Sequence, residues 1–297
     1  MLGCKSISGK KTFLVILVVF LLSSTLFAFA APVSSALPGS GTSSDPYEVS
    51  DWNDLDDVRN DNDAHYELVN DLDSTTIGYD THVADPSEGW EPIGKDYSHR
   101  FLGSFDGQGH NISDLYIDRP GSKRVGLFGQ IDGVTLQNII LENVDVYGGG
   151  NLASVGALVG KIQNYSGNQS TISNISAEGS VDSIHDAGGL IGLMNDGNIS
   201  KCFFIGEVSG NYSGGLVGYF GNGEIQNCYA RADVHGTTRA GGLTGEITSG
   251  SSGGVYDSYS TGNVSGGELG GFTGYLKGDI FDCYWNEETS NQSSGVG

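Results

Sequence analysis

The residues that could do chemistry are scattered rather than clustered. Six histidines occur, at His65, His82, His99, His110, His185 and His235, and each is isolated. A zinc peptidase needs two histidines one helical turn apart with a glutamate between them. No HExxH exists, so this chain carries no such centre. Glycoside hydrolysis needs two carboxylates held across the scissile bond. Asp and Glu total 36, which supplies acids without defining a pair. A polysaccharide lyase needs a basic residue to take a proton. The candidates Lys161, Lys201, Arg231, Arg239 and Lys277 share no common slot in the repeat.

Acids concentrate early. Residues 45–118 hold 19 Asp and Glu against Arg59, Lys95 and Arg100. Asp61-Asn62-Asp63 and Asp71-Leu72-Asp73 could offer oxygens to Ca²⁺, but neither has the EF-hand glycine and terminal glutamate. A solvated acidic surface is the simpler reading. Eight Asn-x-Ser sequons occur, of which Asn164, Asn168 and Asn211 are expected in exposed loops and are the candidate glycosylation sites. Tyr212, Tyr219, Phe220, Tyr229 and Tyr259 could line a sugar-binding flank, or stack within the fold.

Charge and leader bound the function further. Lys5, Lys10 and Lys11 precede an apolar run from Phe13 to Ala30, followed by small residues. This is the layout of a secretory signal peptide, expected to be cleaved near residue 30. An uncleaved anchor is the alternative, and the only expected route to a membrane. Loss of residues 1–30 removes three lysines and takes the net charge from −22 to −25. Such a surface repels nucleic acid. Cys4 leaves with the leader. Cys202, Cys228 and Cys283 remain, an odd number that argues against a disulfide framework.

The elements that must position these residues come from a repeat. A tag of glycine, two large residues and a closing glycine returns six times: Gly126-Leu127-Phe128-Gly129, Ala157-Leu158-Val159-Gly160, Gly189-Leu190-Ile191-Gly192, Gly215-Leu216-Val217-Gly218, Gly242-Leu243-Thr244-Gly245 and Gly271-Phe272-Thr273-Gly274. Closing glycines are 31, 32, 26, 27 and 29 residues apart. A second block follows each tag. Its first apolar slot holds Leu136, Ile172, Ile199, Ile225, Val255 and Ile280. Two residues on stand Asn138, Asn174, Lys201, Asn227, Asp257 and Asp282, then Ile139, Ile175, Cys202, Cys228, Ser258 and Cys283. A later valine slot holds Val181, Val208, Val234 and Val264.

Spacing of two is a strand period, and the bounding Gly, Asn, Asp and Ser residues are turn formers. Each repeat therefore predicts three short strands, stacked coil on coil. The expected fold is an all-β, right-handed parallel β-helix, with the cysteines in an inward slot. A propeller needs longer units. Cys202 and Cys228 fall on neighbouring coils, close enough for a bridge to be considered. Residues 45–100 carry no tag and are expected to form a mixed cap with one short helix, Ser50 to Asn60, capped by Ser50. The expected organisation is leader 1–30, linker 31–44, cap 45–100, β-helix 101–290 and tail 291–297.

The tag Gly214-Gly215-Leu216-Val217-Gly218, with Ile225-Gln226-Asn227-Cys228-Tyr229-Ala230 after it, resembles the GLUG-motif repeat family. Gly41 to Tyr47, His65 to Leu68, Phe101 to His110 and Cys283-Tyr284-Trp285-Asn286 also look like parts of such proteins. The resemblance covers roughly residues 126–290. It implies a β-helical protein of the secreted or cell-surface kind, as in bacterial and archaeal adhesins, and it carries over no catalytic residue. The function expected is an exported, adhesin-like binding or structural module without enzymatic activity, facing a glycan or protein ligand at the cell surface. A β-helical lyase or glycoside hydrolase is the alternative.

Overall fold

The computed structural model describes residues 37–248 and 253–297. The expected leader and the first part of the linker lie outside the described residues. The described chain is a parallel β-helix. One sheet stacks nine parallel strands, from Tyr47–Val49 through His65–Leu68, Ser104–Asp106, Thr135–Gln137, Ser170–Ser173, Gly197–Ser200, Gly223–Gln226 and Gly253–Tyr256 to Asp279–Phe281. A second sheet holds the long strands Ile140–Gly148, Ser176–Ser183, Phe203–Gly214 and Tyr229–Gly241. The third holds Phe128–Asp132, Val159–Gln163, Ile191–Met194, Val217–Phe220 and Thr244–Ile247.

The predicted columns are in register. Leu136, Ile172, Ile199, Ile225, Val255 and Ile280 pair successively. Equal residue types stacked this way remove apolar surface from water on every coil, at roughly 25 cal/mol per Å². Val181, Val208, Val234 and Val264 form a second column. The first repeat joins this column through a bulge: Leu141 faces Ala177, Val144 faces Gly179 and Val146 faces Val181, with Asn143 left-handed at φ 52°. The extra residue is absorbed and the valine column is preserved.

The turn formers explain one corner. Asn138, Asn174, Lys201, Asn227, Asp257 and Asp282 all have φ between 47° and 56°. This left-handed residue turns the chain from the first sheet into the second, so the corner falls inside the second block. Asn174 Nδ2 donates to Asn138 Oδ1 at 2.8 Å, and Asn138 Nδ2 to Asp106 Oδ1 at 2.9 Å. Higher up, backbone bonds do the same work: Lys201 N donates to Gln226 O, and Asn227 N to Tyr256 O. Gly206 is a true glycine requirement. Its φ is 144°, and a Cβ there would lie 1.9 Å from the Gly179 carbonyl oxygen.

The N-terminal region differs from expectation in detail. Its helix, Trp52–Asp57, is capped by Asp51, which accepts from the backbone N–H of Asn53 and Asp54 at 2.8 and 3.0 Å. Ser50 instead donates its hydroxyl to Asp54 Oδ2 at 2.6 Å, closing the turn from the other side. Trp52, Leu55 and Val58 are fully buried, with Trp52 against Trp90 at 5.8 Å between ring centroids. A second short helix, Tyr79–His82, lies within the long loop. The parallel stack begins before residue 101, because Tyr47, Tyr66 and Phe105 pair in the same column as Leu136. The final residues are not a free tail: Phe272 N and Thr273 N both donate to Gly295 O, and Val296 pairs with Thr273. Ser294 to Gly297 thus repeat the tag on the next coil.

Candidate functional site

Where the second sheet ends and the third begins, the tag folds into a tight elbow. Tag glycines let the two strands meet: a Cβ on Gly188 would lie 2.0 Å from Ile191 O, and one on Gly192 2.2 Å from Val155 N. The side chains on either side of the elbow form the walls of a groove. One wall is the register column Arg124, Ser154, Asp186, Tyr212, Arg239 and Glu268. The other is Lys161, Leu193, Tyr219 and Glu246, each one residue after a closing glycine. Between them lies a cavity of about 560 Å³. Its length, from Arg124 to Arg239, is four coil steps, roughly 19 Å.

The groove changes character along that length. At one end Lys123, Arg124 and Lys161 gather three cations. Arg124 Nε is buried without a hydrogen-bond partner. Lys161 is held below the usual lysine range by burial and then by Arg124, against an opposing pull from Asp186. In the middle, Asp186 is nearly enclosed. Its Oδ1 lies 3.0 Å from His185 Nδ1, and its Oδ2 accepts from Ser154 Oγ at 3.3 Å. Burial pushes its carboxyl up to about 6, although His185 and Ser154 favour the charged form. Next come Tyr212 and Tyr219 on opposite walls, with Tyr212 tilted against His185 at 5.2 Å. The far end is closed by Arg239, paired to Glu246 and donating to Glu268 Oε2 at 2.8 Å, with its guanidinium 4.2 Å over Tyr275. At the rim, Leu152 is 62% exposed and left-handed, with φ 57°. A bulky residue in that conformation marks strain at the mouth.

Of the basic candidates, the fold brings Lys161 and Arg239 to the groove. Lys201 stands at the left-handed corner, Arg231 on the outer second sheet and Lys277 beyond the third. Arg124, Ser154, Asp186 and Glu246 were not singled out by sequence. The signal was present: in five of six copies the first wall stands six residues before the closing glycine, and five before it in the first copy. The acidic triplets are engaged within the fold, Asp61 and Asp73 in local turns and Asp71 across to the 110–111 segment. Asp61 accepts from Asp63 N, Asp73 from Thr75, and Asp71 from His110 and Asn111. Among the described residues, no three His, Cys, Asp or Glu side chains converge to hold a metal ion. Asn168 is exposed in a loop. Asn164 is half-buried and donates to Asp196 Oδ2 at 2.7 Å, and Asn211 lies within a strand, accepting from Thr237. Phe220 is core. Tyr229 stacks between Phe203 at 4.6 Å and Tyr259 at 5.0 Å, its ring faces covered by its neighbours.

The chain carries the GLUG motif, whose family model matches residues 209–234. Halomucin of Haloquadratum walsbyi is 38% identical over 167 residues, which are 54% of this chain and 2% of halomucin. A protein provisionally named as Gly-rich and membrane, from Evansella cellulosilytica, is 36% identical over 148 residues, 47% of this chain and 15% of that protein. The chain therefore spans only a small part of these relatives' length. A solved structure provisionally named an immunoglobulin A1 protease, from Bacteroides ovatus, shares the fold with a TM-score of 0.69 at 22% identity, over 83% of this chain and 76% of that one.

Proposed function

We propose that this chain is a surface-associated binding module, adhesin-like and without catalytic activity, that holds a glycan in the elbow groove. The observation that carries this reading is the facing of Tyr212 and Tyr219 across one coil of a polar cleft. Sugars bind where aromatic carbon meets hydrogen-bonding groups, and the neighbouring coils supply Ser154, Asp186 and the cations. The names of the relatives support a place at the cell surface or membrane. A strongly acidic, repeat-built chain suits exposure to a saline medium.

A second reading, glycoside hydrolysis, is favoured by one feature: Asp186 with its raised pKa shares the groove with Glu246, which pairs with Arg239. Two coil steps separate them along the axis, roughly 10 Å, before any lateral distance is added. Catalytic carboxylate pairs lie about 5–9.5 Å apart. The spacing therefore favours binding over cleavage. Incubating the full chain with a glycan array, while assaying for released reducing ends and unsaturated products, tests both. Retention without new sugar ends supports the binding module. New ends that disappear in Asp186→Asn would establish the enzyme, and no retention of any glycan would remove the binding reading.

A further inference from the structure

We infer that the groove selects a saccharide bearing an anionic group, a carboxylate or a sulfate ester, and that Arg124 and Lys161 hold that group. The inference rests on the glycan reading and gives it a chemical class.

Cations are scarce in this chain. The chain has 14 Lys and Arg against 36 acids. Its other well-packed cations are paired: Arg59 with Asp56, Arg100 with Asp132, Arg119 with Glu88 and Arg239 with Glu246. Arg124 and Lys161 are equally withdrawn from solvent, yet among the described residues neither makes an ion pair. Arg124 Nε is buried with no acceptor at all. Two like charges close together and partly dehydrated, with no ion-pair partner and only the more distant pull of Asp186 on Lys161, raise the energy of the fold unless something else compensates them. In a chain so rich in carboxylates, leaving both unmatched preserves an opening for an external anion.

The chemistry of the pair defines that anion. A guanidinium offers a planar fork suited to a carboxylate or sulfate, and the ammonium adds a compact charge beside it. One and two coils further along stand Asp186 and the Tyr212–Tyr219 pair, which fit a ring's hydroxyls and carbon face. An acidic sugar laid along the axis would place its charged group at the cationic end and its neighbour between the tyrosines. A free inorganic anion would leave that second half unused, and a nucleic acid is opposed by the whole surface.

The test uses the full chain and matched oligosaccharides: oligogalacturonate, its neutral methyl ester, and a sulfated chondroitin fragment. Titration calorimetry at low and moderate salt reads the affinities. The acid is expected to bind about tenfold or more tighter than its ester, with the advantage shrinking as salt rises. Arg124→Gln with Lys161→Gln should abolish that advantage, so that the acid binds no tighter than its ester. The chondroitin arm separates sulfate from carboxylate preference, and tighter binding than the ester in either charged arm supports the inference. Thermal melting provides a second readout. Removing two uncompensated charges should leave the melting temperature unchanged or raise it, whereas a purely structural role would lower it. Equal binding of both charged forms and the ester overturns the inference and leaves the glycan reading intact. Failure to bind any of the three, together with an empty glycan array, removes both.

Discussion

His185 Nδ1 and Asp186 Oδ1 lie 3.0 Å apart on consecutive residues at the centre of the groove. The carboxyl is only 6% exposed, and burial outweighs this partner, so its pKa rises from 3.8 to about 6. The native pKa therefore exceeds the unfolded one. Between about pH 4 and 6 the folded state binds more protons, so this group's contribution falls as pH rises through that window and its cost is complete above it. Asp186→Asn removes the cost. Urea unfolding at pH 4, 5, 6 and 7 should show the variant gaining on the parent by up to about 3 kcal/mol across the range. A constant difference would mean that the carboxyl is not forced toward its neutral form.

Ile225 sits in the inward column between Ile199 and Val255 and is fully buried, while Ile280 at the end of the same column is half-buried. Truncation to alanine at 225 leaves a cavity walled on both sides by neighbouring coils. It should cost about 2–5 kcal/mol. The same change at 280 should cost less, because solvent already reaches it. Denaturant unfolding of the two variants gives the order directly, and a reversed order would contradict the column.

The contrast between the inward and outward columns explains what the sequence revealed. Inward slots repeat one chemistry on every coil, as with Leu136, Ile172, Ile199 and Ile225, because each coil must present the same apolar surface to the next. That likeness is visible as a period. The groove walls obey the opposite rule. Arg124, Ser154, Asp186, Tyr212 and Arg239 share a slot and nothing else, so periodicity cannot distinguish them from solvent-facing variety. Their meaning comes from order along the axis, which needs the register. The first coils were hidden for a related reason. Tyr47 and Tyr66 pair into the stack without a glycine tag to announce them, and the helix beside them draws its cap from Asp51, one residue past the expected Ser50.

Tyr229 tests whether aromatic residues on the second sheet bind ligand or only hold coils together. Its planes lie within 7° of Phe203 and 4° of Tyr259, so its faces are already occupied. Tyr229→Ala should lower stability by about 1 kcal/mol through lost stacking and leave glycan affinity unchanged. Tyr212→Ala should weaken glycan binding. The two variants, measured by thermal melting and calorimetry, separate structural aromatics from groove aromatics, and loss of binding in Tyr229→Ala would move the site to the second sheet.

The cysteines complete the same argument. Cys202 and Cys228 are both about 1% exposed, on neighbouring coils, and burial pushes the Cys202 thiol well up from its ordinary value. Their sulfurs donate to local carbonyls, Ser200 O and Gln226 O, each at 3.2 Å. Residues stacked in parallel register stand about 4.8 Å apart, within the Cα spacing of disulfides, yet both thiols are free. Cys283 is half-buried at the last position of the column. Peptide mapping after brief alkylation of the folded chain should find Cys283 modified, with Cys202 and Cys228 modified only after denaturation. A Cys202–Cys228 crosslink recovered under non-reducing conditions would show that the two thiols leave these carbonyls and pair across the column.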